Sequence, residues 1–114
     1  MIPIYLSVKK LKEYCNPYQF FKFDKKEIQR RVQAKDFYDI NDESRIAYFI
    51  VNGFKVPIEI DVGIPILNFY PKWLITDGNH RFAAAIWLKQ KYILTNISGQ
   101  NNYANDLFNI NLPI

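Results

Sequence analysis

The chain predicts a single small α+β domain, mixed α/β in its element order, and three observations carry that expectation. Ile58, Ile60 and Val62 alternate with Glu59 and Asp61, the period of a half-buried strand. Ile46, Ala47, Ile50 and Val51 recur at helical spacing. At 114 residues, with 49% of them hydrophobic, the chain has material for one modest core and not for two.

The elements follow in order. Ile2, Ile4 and Leu6 alternate with Pro3 and Tyr5, which predicts a short first strand with Pro3 at its edge or start. Ser7 then caps a brief helix with Val8 and Leu11 on its apolar side, and Asn16-Pro17 stops it. Asp24 with Glu27 three residues on forms a variant capping box and opens a helix from Lys25 to about Phe37. Its apolar positions are few, so its charges are expected in water.

A polar break from Asp39 to Ser44 precedes a core helix from Glu43, which Asn52-Gly53 ends. Val56 to Val62 is the second strand. Pro65 and Pro71 interrupt the apolar run from Gly63 to Pro71, where a hairpin arm is expected, leading into a buried strand run at Trp73-Leu74-Ile75. A helix from Asn79 to about Gln90 follows, with Ala83 and Ala84 allowing close approach to the sheet. Tyr92 to Ile97 is a further strand, and Ala104 to Phe108 forms a terminal helical turn.

Several function classes drop out on composition. The lone Cys15 leaves no internal disulfide and no multi-cysteine metal site. No apolar run has the length of a membrane span, and Met1-Ile2-Pro3-Ile4-Tyr5 lacks the basic stretch and apolar core of a signal peptide, so a cytoplasmic protein without membrane contact is expected. The net charge of +4 is uneven: Lys9, Lys10, Lys12, Lys22, Lys25, Lys26, Arg30, Arg31 and Lys35 are opposed only by Glu13, Asp24 and Glu27. This basic N-terminal half is either a DNA- or partner-binding surface or the solvated face of ordinary helices.

The residues richest in chemistry are Ile75 to Ala85, I-T-D-G-N-H-R-F-A-A-A, where a strand gives way to a helix around the only histidine. Gly78 permits a tight turn, and the helix start presents free N–H groups and a positive dipole end beside His80 and Arg81. That combination favours a phosphate. Arg81 offers a guanidinium fork, with a salt bridge to Glu59, Asp61 or Asp77 as its structural alternative. His80 is a phosphate donor or an acid and base. Asp77 is a base, a ligand for nucleotide-borne Mg²⁺, or the side chain that fixes the Gly78 turn. Glu59 and Asp61 are candidates for a second carboxylate. Tyr14, Tyr18, Phe20, Phe21 and Phe23 are candidates for base stacking, or for ordinary packing.

Three blocks resemble the ParB and sulfiredoxin-like superfamily. Asn16-Pro17-Tyr18-Gln19 with Phe23-Asp24 resembles the first box of partition proteins, and Gly53 to Ile60 resembles the family's glycine followed by a Pro-Ile-x-Val strand. Asp77-Gly78-Asn79-His80-Arg81 resembles the D-G-x-H-R form of a third box. The resemblance runs from about Asn16 to about Ile97. It implies a small ParB/sulfiredoxin-like fold in which Gly78, Asn79, His80 and Arg81 hold the phosphates of a nucleoside triphosphate, ATP or CTP, with Mg²⁺, and Asp77 and His80 are the candidate catalytic groups. Members of the family hydrolyse CTP, repair oxidised cysteine with ATP, or phosphorylate free serine.

Departures narrow these expectations. Asn79 stands where sulfiredoxin has its reactive cysteine, so that activity is not expected. Phe20 and Phe21 follow Gln19 where partition proteins have a proline and an arginine, and the helix-turn-helix and dimerisation domains of a partition protein are not expected within these 114 residues. The same five residues match the tail of the H-x-F-x-D-G-N-x-R motif of Fic-type AMP-transferases, but its leading histidine would fall at Trp73. The expectation is a nucleotide-phosphate-binding domain, monomer or homodimer, with hydrolysis or phosphoryl transfer as its chemistry. The alternatives are a non-enzymatic DNA- or protein-binding module and a ParB-like nuclease.

Overall fold

One mixed four-stranded sheet organises the chain in the order β1-β4-β2-β3, with β1 at Ile4–Ser7, β2 at Ile58–Asp61, β3 at Ile75–Asp77 and β4 at Tyr92–Ser98. The computed structural model describes residues 2–114, so Met1 of the opening stretch lies outside the described residues. β4 runs antiparallel to β1 and parallel to β2, and β3 closes antiparallel on β2 with a register shift between Glu59 and Ile60. Leu6, Ile58, Ile60, Ile75, Ile93 and Ile97 are buried and belong to one cluster, as strand alternation demands.

The helices are α1 (Val8–Tyr14), α2 (Pro17–Phe20), α3 (Lys25–Ala34), α4 (Asp42–Asn52), α5 (Asn79–Trp87) and α6 (Asn101–Phe108). Their starts follow the capping residues: Ser7 Oγ accepts from Lys10 N–H, Asn16 Oδ1 from Tyr18 N–H, Asp24 Oδ1 from Glu27 N–H and Asn41 Oδ1 from Ser44 N–H. Asn16-Pro17 therefore both stops α1 and starts α2, with the proline at a first-turn position where its missing N–H costs nothing. None of the helices among the described residues is long and apolar enough to cross a membrane.

Several expected elements are shorter. α3 ends at Ala34 because Lys35 takes up a left-handed conformation (φ 51°), and α5 ends at Trp87. β2 begins only at Ile58: Pro57 has no N–H, and the carbonyls of Val56 and Pro57 are bonded elsewhere. The hairpin arm is a single 3-10 turn, Pro65–Leu67, spanned by one bridge from Ile64 to Phe69. Trp73 and Leu74 precede β3 rather than lying in it.

α5 is the hub, with every residue from Arg81 to Ala85 buried. Phe82 and Ala85 pack in the sheet cluster, while Ala83 packs with Phe23, Ile28 and Ile46 in a second cluster under α3 and α4. The approach to the sheet expected of Ala83 is thus made by Phe82 and Ala85, because a helix gripped on two sides divides consecutive residues between its neighbours. α3 also departs from a wholly solvated helix. Arg31 is buried, with Nη2 2.6 Å from Asp39 Oδ2, Nε 3.0 Å from Glu27 Oε1, and Nη1 donating to the Asp36 carbonyl.

Hydrogen bonding from Arg30, together with the charges of Arg30 and Arg31, holds the Glu27 carboxyl below the usual range. A depressed carboxylate stabilises the fold above its ordinary range and loses that contribution as pH falls through the folded value. Urea unfolding across the acidic range should show stability dropping below the ordinary glutamate pKa. Glu27→Gln should lower stability at neutral pH and flatten that part of the profile.

Candidate functional site

The side chains of Asn79, His80 and Arg81 are each tied to a different part of the fold. Gly78 has φ +105°, and a Cβ there would lie 2.5 Å from Ile58 Cγ2, so the residue lets α5 close on β2 as well as making the turn. Asn79 Oδ1 accepts from the Trp73 indole N–H at 2.8 Å. His80 Nε2 is 2.8 Å from Asp42 Oδ1, joining the start of α5 to the first turn of α4. That same turn of α4 reaches α3, where Asp24 N–H donates to Glu43 Oε2 at 3.2 Å.

Arg81 is committed most fully. Its Nη1 donates to the Val56 and Pro57 carbonyls at 3.0 and 3.1 Å, and its Nη2 to Asp77 Oδ2 at 3.1 Å. The Arg81 side chain is 10% exposed and that of Asp77 is 71% exposed. Of the two uses weighed for Arg81, the salt bridge to Asp77 is the one formed, and the fork points at the fold's own acceptors. Glu59 and Asp61 supply no second carboxylate here: Glu59 Oε2 accepts from Asn96 Nδ2 at 2.6 Å, and Asp61 Oδ1 accepts from Gly63 N–H at 2.8 Å.

The turn opens into a groove of about 460 Å³ between α4 and α5. Asp77, Gly78, His80 and Arg81 form one wall, and Tyr48, Phe49 and Phe54 form an aromatic one. Arg45 and Lys55 line it as well, and neither forms an ion pair among the described residues. No side chain caps α5, so the groove adjoins first-turn N–H groups that have no carbonyl within the helix. Ser44 lines it too, buried, with an Oγ that has no protein partner. Asp77 is the one carboxylate in the lining. Among the described residues no three His, Cys, Asp or Glu side chains gather as a metal site.

Asn79 is not among the lining residues, and neither are Tyr14, Tyr18, Phe20, Phe21 and Phe23. Tyr18 is held by packing, its hydroxyl donating to the Ala83 carbonyl at 2.6 Å, and burial pushes that phenol's pKa up. The aromatic wall and both free cations escaped the sequence reading. A signal for them exists: Arg45, Tyr48 and Phe49 stand at i, i+3 and i+4 of one helix, a face distinct from the apolar Ile46, Ala47 and Ile50. No family model matches the chain, and no curated protein or solved structure matches it significantly.

Gly78→Ala tests this geometry. It should destabilise the fold by about 2 kcal/mol or more, since both the positive φ and the Ile58 contact oppose a methyl group. Gly53→Ala, at φ +76° with nothing within 4 Å of its Cβ, should cost less in the same urea titration.

Proposed function

We propose that the chain is a nucleotide-binding domain of the ParB/sulfiredoxin type, and that the nucleotide occupies the groove between α4 and α5. The observation that carries this reading is the pairing, in one groove, of an aromatic wall with two cations free of carboxylate partners beside the uncapped start of α5. Phosphates suit Arg45, Lys55 and the α5 N–H groups, because cations and a helix N-terminus attract the same anion. A base suits Tyr48, Phe49 and Phe54, since aromatic faces stack on any of the four. The Ser44 hydroxyl is a further donor in reach of the lining.

Roles differ from those implied by the residue pattern alone. Arg81 acts through the turn it holds, and Gly78 through the close approach it allows. His80 is the motif side chain that both lines the groove and has part of its ring exposed. Mg²⁺ would arrive on the phosphates, with Asp77 the one groove carboxylate available to it, in keeping with a cation that keeps most of its waters. For hydrolysis or transfer, Asp77 is also the one groove carboxylate able to take the proton of an attacking hydroxyl.

A thermal-shift screen tests the binding. A nucleoside triphosphate with Mg²⁺ at 100 times its Kd should add about 2.7 kcal/mol of stability. Arg45→Glu with Lys55→Glu should abolish the shift while leaving the unliganded melting temperature near that of the parent, as both residues are exposed. No shift with any of the four triphosphates would sink the reading.

A further inference from the structure

A second surface carries aromatic rings and cations in alternation. Two grooves, of about 330 and 220 Å³, share Lys12 and Asn16 and so run on from one another along α1, α2 and the start of α3. Tyr14, Phe20 and Trp73 line the first. Tyr18, Lys25 and Trp87 line the second, with Lys25 Nζ 5.1 Å from the centre of the Tyr18 ring. Phe20 stacks on Trp73 at 4.5 Å between ring centres and 23° between planes and meets the Phe21 ring edge-on at 4.9 Å, yet remains 61% exposed, leaving ring surface for a further stacking partner.

The charge here is unbalanced. Lys12, Lys22 and Lys25 form no ion pair among the described residues, Asp24 is engaged as the cap of α3, and Glu27 faces Arg30 and Arg31. Glu13 is the one acid in the lining of either groove. Such a furrow fits a polymer that offers a negative charge and an aromatic face at every step.

We propose that this furrow binds single-stranded nucleic acid, with bases stacking on Phe20 and the exposed aromatics beside it and phosphates following Lys12 and Lys25. An open ring face selects unpaired bases, since the bases of a duplex are already stacked on one another. The site is separate from the groove between α4 and α5 and does not depend on what that groove binds.

Both tryptophans of the chain line the furrow, so its intrinsic fluorescence reports occupancy directly. A single-stranded oligonucleotide of about 12 nucleotides should quench that fluorescence and bind less tightly as salt rises. Phe20→Ala should weaken binding about tenfold or more, Phe20→Tyr should retain it, and Lys12→Glu with Lys25→Glu should abolish it. These side chains are exposed, and an unchanged melting temperature for each variant would show that the fold is intact. The proposal is overturned by equal or tighter binding of a duplex of the same length, by Phe20→Ala binding like the parent, or by capture of anionic vesicles without oligonucleotide binding. Mononucleotides that shift the melting temperature without quenching would leave the α4/α5 groove standing and, if the oligonucleotide also fails to quench, remove this one.

Discussion

The Arg81 guanidinium is the interaction on which the arrangement depends. It reaches from α5 to the two carbonyls that precede β2 and to the carboxylate at the end of β3, so one side chain fixes three segments. Hydrogen bonds to a charged donor contribute about 1.5–3 kcal/mol each, more than the neutral backbone bonds that the leading residues of β2 would otherwise form. Because β2 is an interior strand of the sheet, fixing its start also fixes the register against β4 and β3. Gly78 makes the clamp feasible, since any Cβ would hold α5 away from Ile58.

With α5 anchored, the neighbouring side chains become links rather than free reagents. Asn79 holds Trp73, and Trp73 in turn supports Phe20, so the turn beside one groove also shapes the other surface. His80 holds the first turn of α4, and that turn receives the start of α3 through Glu43. The groove opens where α4 and α5 leave that junction, with Arg45, Tyr48 and Phe49 on its far side. Fold and candidate site therefore share their residues, and substitutions in the turn alter stability and the shape of the groove together.

Element identities and the location of the turn were legible because local chemistry dictates them. Ser7 and Asp24 each cap a helix, the alternation in β2 gives its buried face, and a glycine followed by Asn-His-Arg marks an unusual helix start, while the caps at Asn16 and Asn41 were not read and the short α2 went unforeseen. Partners were less legible. Asp77, four residues before Arg81, is the one partner that spacing marks, whereas the Val56 and Pro57 carbonyls that Arg81 also meets lie more than twenty residues away along the chain. The buried Arg31 was missed because, beyond Glu27 four residues before it, its acceptors at Asp36 and Asp39 come from the segment after α3, whose path the pattern does not encode. The groove aromatics were hidden because Phe37 and Phe54 are brought to Tyr48 and Phe49 by the chain's return and not by spacing.

Arg81 as a clamp, and not a free ligand group, is the central claim, and the stability of the unliganded protein tests it most directly. Urea unfolding of Arg81→Ala without any nucleotide should show a loss of about 1.5–3 kcal/mol, because the part-buried carbonyls of Val56 and Pro57 lose their charged donor, while the pair with exposed Asp77 adds little. Arg81→Lys should recover only part of that loss, since an ammonium cannot reach both sides of the fork. An Arg81→Ala protein as stable as the parent would contradict the account and return the guanidinium to the groove as a ligand group.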